Sequence, residues 1–174
     1  MKPPEIHDLV KPLCWLLGKW GSLNVKLNRK LHLPYFCPPF KDDKPDTYCD
    51  LLTFSTISGI SSVKYEAISW NSKSLFPHKL EVGHFMVHPD KKHISLLAAH
   101  NNGMAAVEKG SIKTNCLELC TSTVANADVI HKPMFAYSRS YSINNQGQLV
   151  YKLKMRTEDE CELKEYVQIM YEKI

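Results

Sequence analysis

The chain has 174 residues, a net charge of +4, 44% hydrophobic and 23% charged residues, a make-up that suits one globular domain with a real core. Lys26, Lys30, Lys41, Lys44, Lys91, Lys92 and Lys109 are scattered, which argues against the clustered charge of a nucleic-acid groove. No window approaches the roughly 20 apolar residues of a membrane span, and "MKPPEIHDLV" has no signal-peptide core, so the expected location is the cytoplasm or the nucleus.

In chain order, "IHDLVKPLCWLLGKW" comes first. Leu9, Val10, Leu13, Trp15, Leu16 and Leu17 make a broad apolar side. Pro12 limits it to a short helix or turn from about Pro12 to Leu17, stopped at Gly18. The period then changes. Leu23, Val25 and Leu27 alternate with Asn24, Lys26 and Asn28, the two-residue repeat of a strand. Residues 34–46 carry several prolines and a charged run and read as a loop insert. Strand-like segments follow: "YCDLLTFSTI", "SSVKYEAISW", "HKLEVGHFMVHP", "HISLLAAH", "AAVEKGSIK", "CLELCTSTVAN", "FAYSRSYSI", "QLVYKLKMRT" and "CELKEYVQIMYEKI". Turn signals at Ser58-Gly59, Pro89 to Lys92, Asn101 to Gly103 and Asn144 to Gly147 separate them.

About ten short strands after one helical turn predict an all-β, single closed antiparallel barrel, one domain over residues 1–174. Consecutive strands joined by tight turns pair with each other, and closure removes the sticky edges of a long sheet. A barrel of this size has room for a ligand. A β-sandwich is the alternative architecture.

Six cysteines include no C-x-x-C pair. Cys116 and Cys120, on one face of a strand, stand about 13 Å apart, too far for a disulfide. Buried, inert, reduced thiols are the expectation. No G-x-S-x-G elbow, P-loop or dinucleotide fingerprint occurs.

Several strands have no clean apolar face. Tyr137, Arg139 and Tyr141 share one side of their strand. In the terminal strand Tyr166, Gln168 and Met170 fall on one side, opposite Leu163, Val167, Ile169 and Tyr171. This pattern suits a semi-polar cavity better than a solid core, so Tyr166, Gln168 and Met170 are candidate cavity residues. His84, Met86 and His88 alternate onto one face, too widely spaced to chelate one zinc.

"PLCWLLGKW", Pro12 to Trp20, resembles the opening of nitrobindin-type β-barrels, matching at Gly18 and Trp20. "YEAISW", "PHKLEVGHF", "LLAAHNNGMAAVEKG" and "LVYKLKM" resemble later segments of that family in the same order. The resemblance implies a ten-stranded barrel, lipocalin-like and shaped like a fatty-acid-binding protein. It implies b-type haem or another apolar ligand in the cavity. Through the family's ferric haem it also implies peroxynitrite isomerisation. The family holds its iron with a last-strand histidine in L-x-x-H-L. Here the matching stretch is Leu163-Lys164-Glu165-Tyr166-Val167, with Tyr166 in the histidine's place. Tyr166 is then either an iron ligand, as in catalase-type haems, or a cavity-lining or core aromatic with its hydroxyl hydrogen-bonded. Trp20, His78 and His84 complete the candidate cofactor-binding set, and His88 and His100 are further candidate ligands. A homodimer is compatible with this pattern. So is a ligand-free barrel that acts as a protein-interaction module.

Overall fold

The structure is a computed structural model that describes residues 5–27, 48–71, 75–127, 136–156 and 162–174. The side chains of residues 23–27, 48, 71 and 78 and the predicted insert at 34–46 lie outside that description.

Lys11–Leu13 form a 3-10 turn with Pro12 at its start, where the missing N–H would have had no intrahelical partner. The winding continues through bonds from Leu16 N to Leu13 O and from Leu17 N to Cys14 O. It ends at Gly18, whose φ is 122°. The turn buries Val10, Leu13 and Leu16 completely. It also receives the Trp20 indole, whose Nε1–H donates to Leu16 O at 2.8 Å.

Ten strands follow: β1 (Gly18–Leu27), β2 (Tyr48–Ser55), β3 (Ser62–Asn71), β4 (Pro77–Val87) and β5 (His93–His100), then β6 (Met104–Lys113), β7 (Cys116–Asn126), β8 (Ala136–Ile143), β9 (Leu149–Arg156) and β10 (Lys164–Lys173). Each pairs antiparallel with its neighbour in sequence, and β1 pairs with β10 to close the barrel. The predicted barrel is therefore borne out, and the sandwich is excluded. Among the described residues no helix is long and apolar enough to cross a membrane.

Glycine permits close backbone approach at two points of the wall. A Cβ on Gly83 would run into the Leu97 carbonyl, and one on Gly110 into the Glu118 carbonyl. Only a residue without a side chain permits that approach. Inside, Phe54, Tyr65, Phe85 and Tyr141 pack with ring centroids 5.3 to 6.5 Å apart, a spacing at which aromatic pairs attract. The rim beneath them is plugged by the N-terminal turn. We call the opposite one the far rim; it is where β5, β7 and β9 end and β6, β8 and β10 begin.

The cysteine expectation needs correction. Cys14 and Cys120 are exposed, and Cys49 and Cys116 are half-buried, all four free. Cys116 and Cys120 do share a face of β7, but Leu117 and Leu119 hold the buried one.

Candidate functional site

Three strands invert the ordinary rule of apolar inside and polar outside. In β4, Leu80 and Val82 are exposed while Glu81 between them is fully buried. In β6, Glu108 is fully buried beside the half-buried Val107. In β8, Arg139 sits buried between Tyr137 and Tyr141, with half-buried serines on the other face. The three charged groups meet inside the barrel. Arg139 Nη1 lies 2.7 Å from Glu81 Oε1, and Nη2 lies 2.7 Å from Glu108 Oε1.

Polar neighbours complete this layer. Lys79 Nζ reaches Glu81 Oε2 at 3.0 Å. The Tyr137 hydroxyl donates to Glu108 Oε1 at 2.8 Å. The Tyr141 hydroxyl donates to Tyr65 at 3.3 Å, and Tyr65 donates to Glu81 at 3.4 Å. Glu108 Oε2 and Arg139 Nε are buried with no hydrogen-bond partner among the described residues. Burial pushes the Glu81 carboxyl up, but Arg139 and Lys79 outweigh it and hold the group well below the usual carboxylate range. Burial wins at Glu108, whose carboxyl is shifted up despite Arg139. Burial also pushes the Tyr65, Tyr137, Tyr141 and Tyr151 phenols up, so all four stay protonated at neutral pH.

His100, the last residue of β5, is buried with its Nε2 3.8 Å from Glu81 Oε1. Burial pushes its pKa down to about 4, the Glu81 charge only partly opposing. The imidazole is therefore neutral at pH 7, the form that binds metals. A second buried carboxylate, Asp50, accepts from the Tyr171 hydroxyl at 2.7 Å and from Ser69 Oγ at 3.1 Å.

Tyr166 owes its position to a register shift. Glu165 pairs with Lys154 and Val167 with Leu153, so Tyr166 is the extra residue of a β-bulge in β10. A regular strand would bury either Tyr166 or Val167. With the bulge both are buried, at 4% and 5% exposure. Tyr166 thereby joins the buried residues Val167, Ile169 and Tyr171, while Gln168 and Met170 alternate with them, half-buried, on the other face. The three-residue set expected from simple alternation is split by this one insertion. Such bulges re-aim a side chain near functional sites.

The remaining candidates scatter. Trp20 is buried at the plugged rim, with the Lys173 ammonium 5.2 Å from its ring. His84 is exposed on the outer wall, its Nδ1 3.5 Å from Ser62 Oγ. His88 meets Ser95 at 3.3 Å in the β4–β5 hairpin, at the plugged rim. The His78 side chain lies outside the described residues. Four buried residues with iron-donor chemistry lie toward the far rim on separate strands: His100 at the end of β5, Met104 at the start of β6, Met155 near the end of β9 and Tyr166 near the start of β10. Among the described residues no three His, Cys, Asp or Glu side chains converge on one metal position.

The ionic layer was not visible in the sequence because its three central charges, Glu81, Glu108 and Arg139, lie on three different strands. Its one visible signal was Arg139 between Tyr137 and Tyr141, on a face too mixed for a plain core.

Comparison with known proteins follows the same lines. The profile of the THAP4-like, heme-binding beta-barrel domain matches residues 9–173. Similar curated proteins include Peroxynitrite isomerase THAP4 of Rattus norvegicus, 24% identical over 99% of this chain and 28% of that protein. The Homo sapiens protein of the same name is 22% identical over the same shares. Peroxynitrite isomerase Rv2717c of Arabidopsis thaliana is 27% identical over 88% of this chain and 82% of its own length. The chain thus spans little more than a quarter of the THAP4 proteins it matches. The crystal structure of Rv2717c from M. tuberculosis superposes with a TM-score of 0.76 at 20% identity, covering 98% of this chain and 99% of that one. At that identity the likeness speaks for the fold.

Proposed function

The chain belongs to the THAP4-like, heme-binding beta-barrel domain family, and from that premise we propose that its far rim binds b-type haem, with Tyr166 as the side chain facing the iron. The observation that carries this reading is the β10 bulge, which buries the phenol together with Val167, where a regular strand would bury only one of the two. The donor chemistry there suits the group: a phenol, a neutral imidazole and two thioethers are all ligand types found on haem iron. Bound ferric iron would supply an open coordination position for a small anion or gas.

What this chain supplies is burial, orientation and control of protons. Arg139 does not activate a phenol, because two glutamates at 2.7 Å already engage it. The phenols beside it, Tyr137 and Tyr141, are shifted up. A bound ferric ion would itself favour the phenolate form of a ligating Tyr166. His100 supports a second reading, in which the neutral imidazole is the ligand and Tyr166 lines the pocket.

Titration with ferric haem separates the two. A sharpened Soret band with a phenolate charge-transfer feature, lost in Tyr166→Phe and kept in His100→Gln, supports Tyr166. The reverse dependence assigns the iron to His100. A spectrum unchanged from free haem in the wild type rejects both. We extend the relatives' peroxynitrite isomerase activity to this chain on the same terms. The haem-loaded protein should speed conversion of peroxynitrite to nitrate in stopped flow, and the apoprotein should not.

A further inference from the structure

The outer wall beside the inverted strands β4 and β6 carries exposed apolar side chains. Val82 is 39% exposed and Leu97 44%. They border a trough of about 600 Å³ across β4 to β7, within the range of small-molecule sites.

Register shows its shape. One row of paired, outward residues runs Val82, Ala99, Ala105, Ala125. The next runs His84, Leu97, Val107, Thr123. Four strands at ~4.8 Å spacing make the floor about 14 Å long, and two residues along each strand make it about 7 Å wide. Three alanines keep one row low and flat. That outline matches a plane of two or three fused or linked rings and is too small for a stable protein interface.

The polar groups bordering the trough are Lys64, His84 and Thr123. Lys64 pairs directly with His84 across β3 and β4. Its exposed ammonium meets the half-buried Glu66 carboxylate at 3.4 Å, a long, partly solvated tie that a ligand can replace. Glu66 itself does not line the trough. A cation therefore stands at one end of an apolar floor.

We infer that this trough is a binding site for a small planar aromatic molecule carrying an anionic group, with the anion at Lys64 and the rings over Ala99 and Ala105. The site lies on the outer face of the wall and does not depend on haem in the barrel.

Anilinonaphthalene sulfonate is a suitable probe, with uncharged phenylnaphthylamine as its control. The sulfonate should bind at one saturable site, read as a fluorescence rise. Ala105→Trp fills the floor and should weaken it about tenfold; Thr123→Trp, at an independent exposed position, should act in the same direction. Lys64→Gln should weaken the sulfonate about threefold and leave phenylnaphthylamine unchanged. Sulfonate affinity unaffected by both tryptophans would overturn the inference. So would a dimer in sedimentation that Ala105→Trp dissolves, since a second copy of the chain would then be the occupant.

Discussion

Arg139 and Glu81 face each other at 2.7 Å with neither side chain exposed. Glu108 holds the other end of the same guanidinium. Removing the cation leaves two buried carboxylates without their charge partner, the costly way to break such a network. Arg139→Leu should lower unfolding free energy by about 3–5 kcal/mol in urea melts. Arg139→Lys should rescue little, because one ammonium cannot reproduce a two-ended planar fork.

Acid should act through His100. Its folded pKa of about 4 lies below the ordinary 6.5, so between those values the unfolded chain binds a proton that the folded chain refuses. Stability is then full above about pH 6.5 and falls as pH drops toward 4, by about 3 kcal/mol at most. Glu81 stays ionised across this window, and the upward-shifted Glu108 works in the opposite sense. Thermal melts at steps from pH 7 to 4.5 should show the slope, and His100→Gln should flatten it.

The close backbone approach at Gly110 makes a steric prediction. A methyl there meets backbone, which cannot swing aside. Gly110→Ala should cost about 3 kcal/mol, the upper range of overpacking effects. Gly21→Ala, whose added carbon would find Ile174 at an ordinary 3.7 Å, should change stability by less than about 1 kcal/mol. Paired denaturant melts measure the difference.

Burial raises the Asp50 carboxyl, and the hydrogen bond from Tyr171 opposes that rise. Tyr171→Phe should therefore push Asp50 further up and destabilise the fold by about 1–3 kcal/mol. Carboxyl chemical shifts across a pH titration would follow the first effect and urea melts the second.

The barrel itself was legible in the sequence. Two-residue periods, tight-turn signals and the absence of a second helical stretch led to ten strands in the right order. The site was only partly legible, for two physical reasons. Alternation assumes an unbroken pleat, and the bulge at Tyr166 breaks it, moving Tyr166 away from the face of Gln168 and Met170. Periodicity also ranks residues by hydropathy, so in "HKLEVGHF" it favours Leu80 and Val82 for the interior. The fold buries Glu81 instead, because Arg139 and Lys79 wait for it on β8 and on β4 itself. The Glu81–Arg139 pairing joins residues 58 positions apart, and no local window contains both.

The seam between β1 and β10 has a consequence for synthesis. Trp20 is paired with Lys173 and Leu27 with Val167, so the first-made strand waits for the last. During translation nine strands, β1 to β9, can pair early, yet the free margins of β1 and β9 stay open until residue 173 clears the ribosome. Open margins recruit other chains. A stalled or shortened nascent chain should therefore lean on chaperones, whereas a permuted gene that fuses β10 directly ahead of β1 would make the seam local and hasten closure.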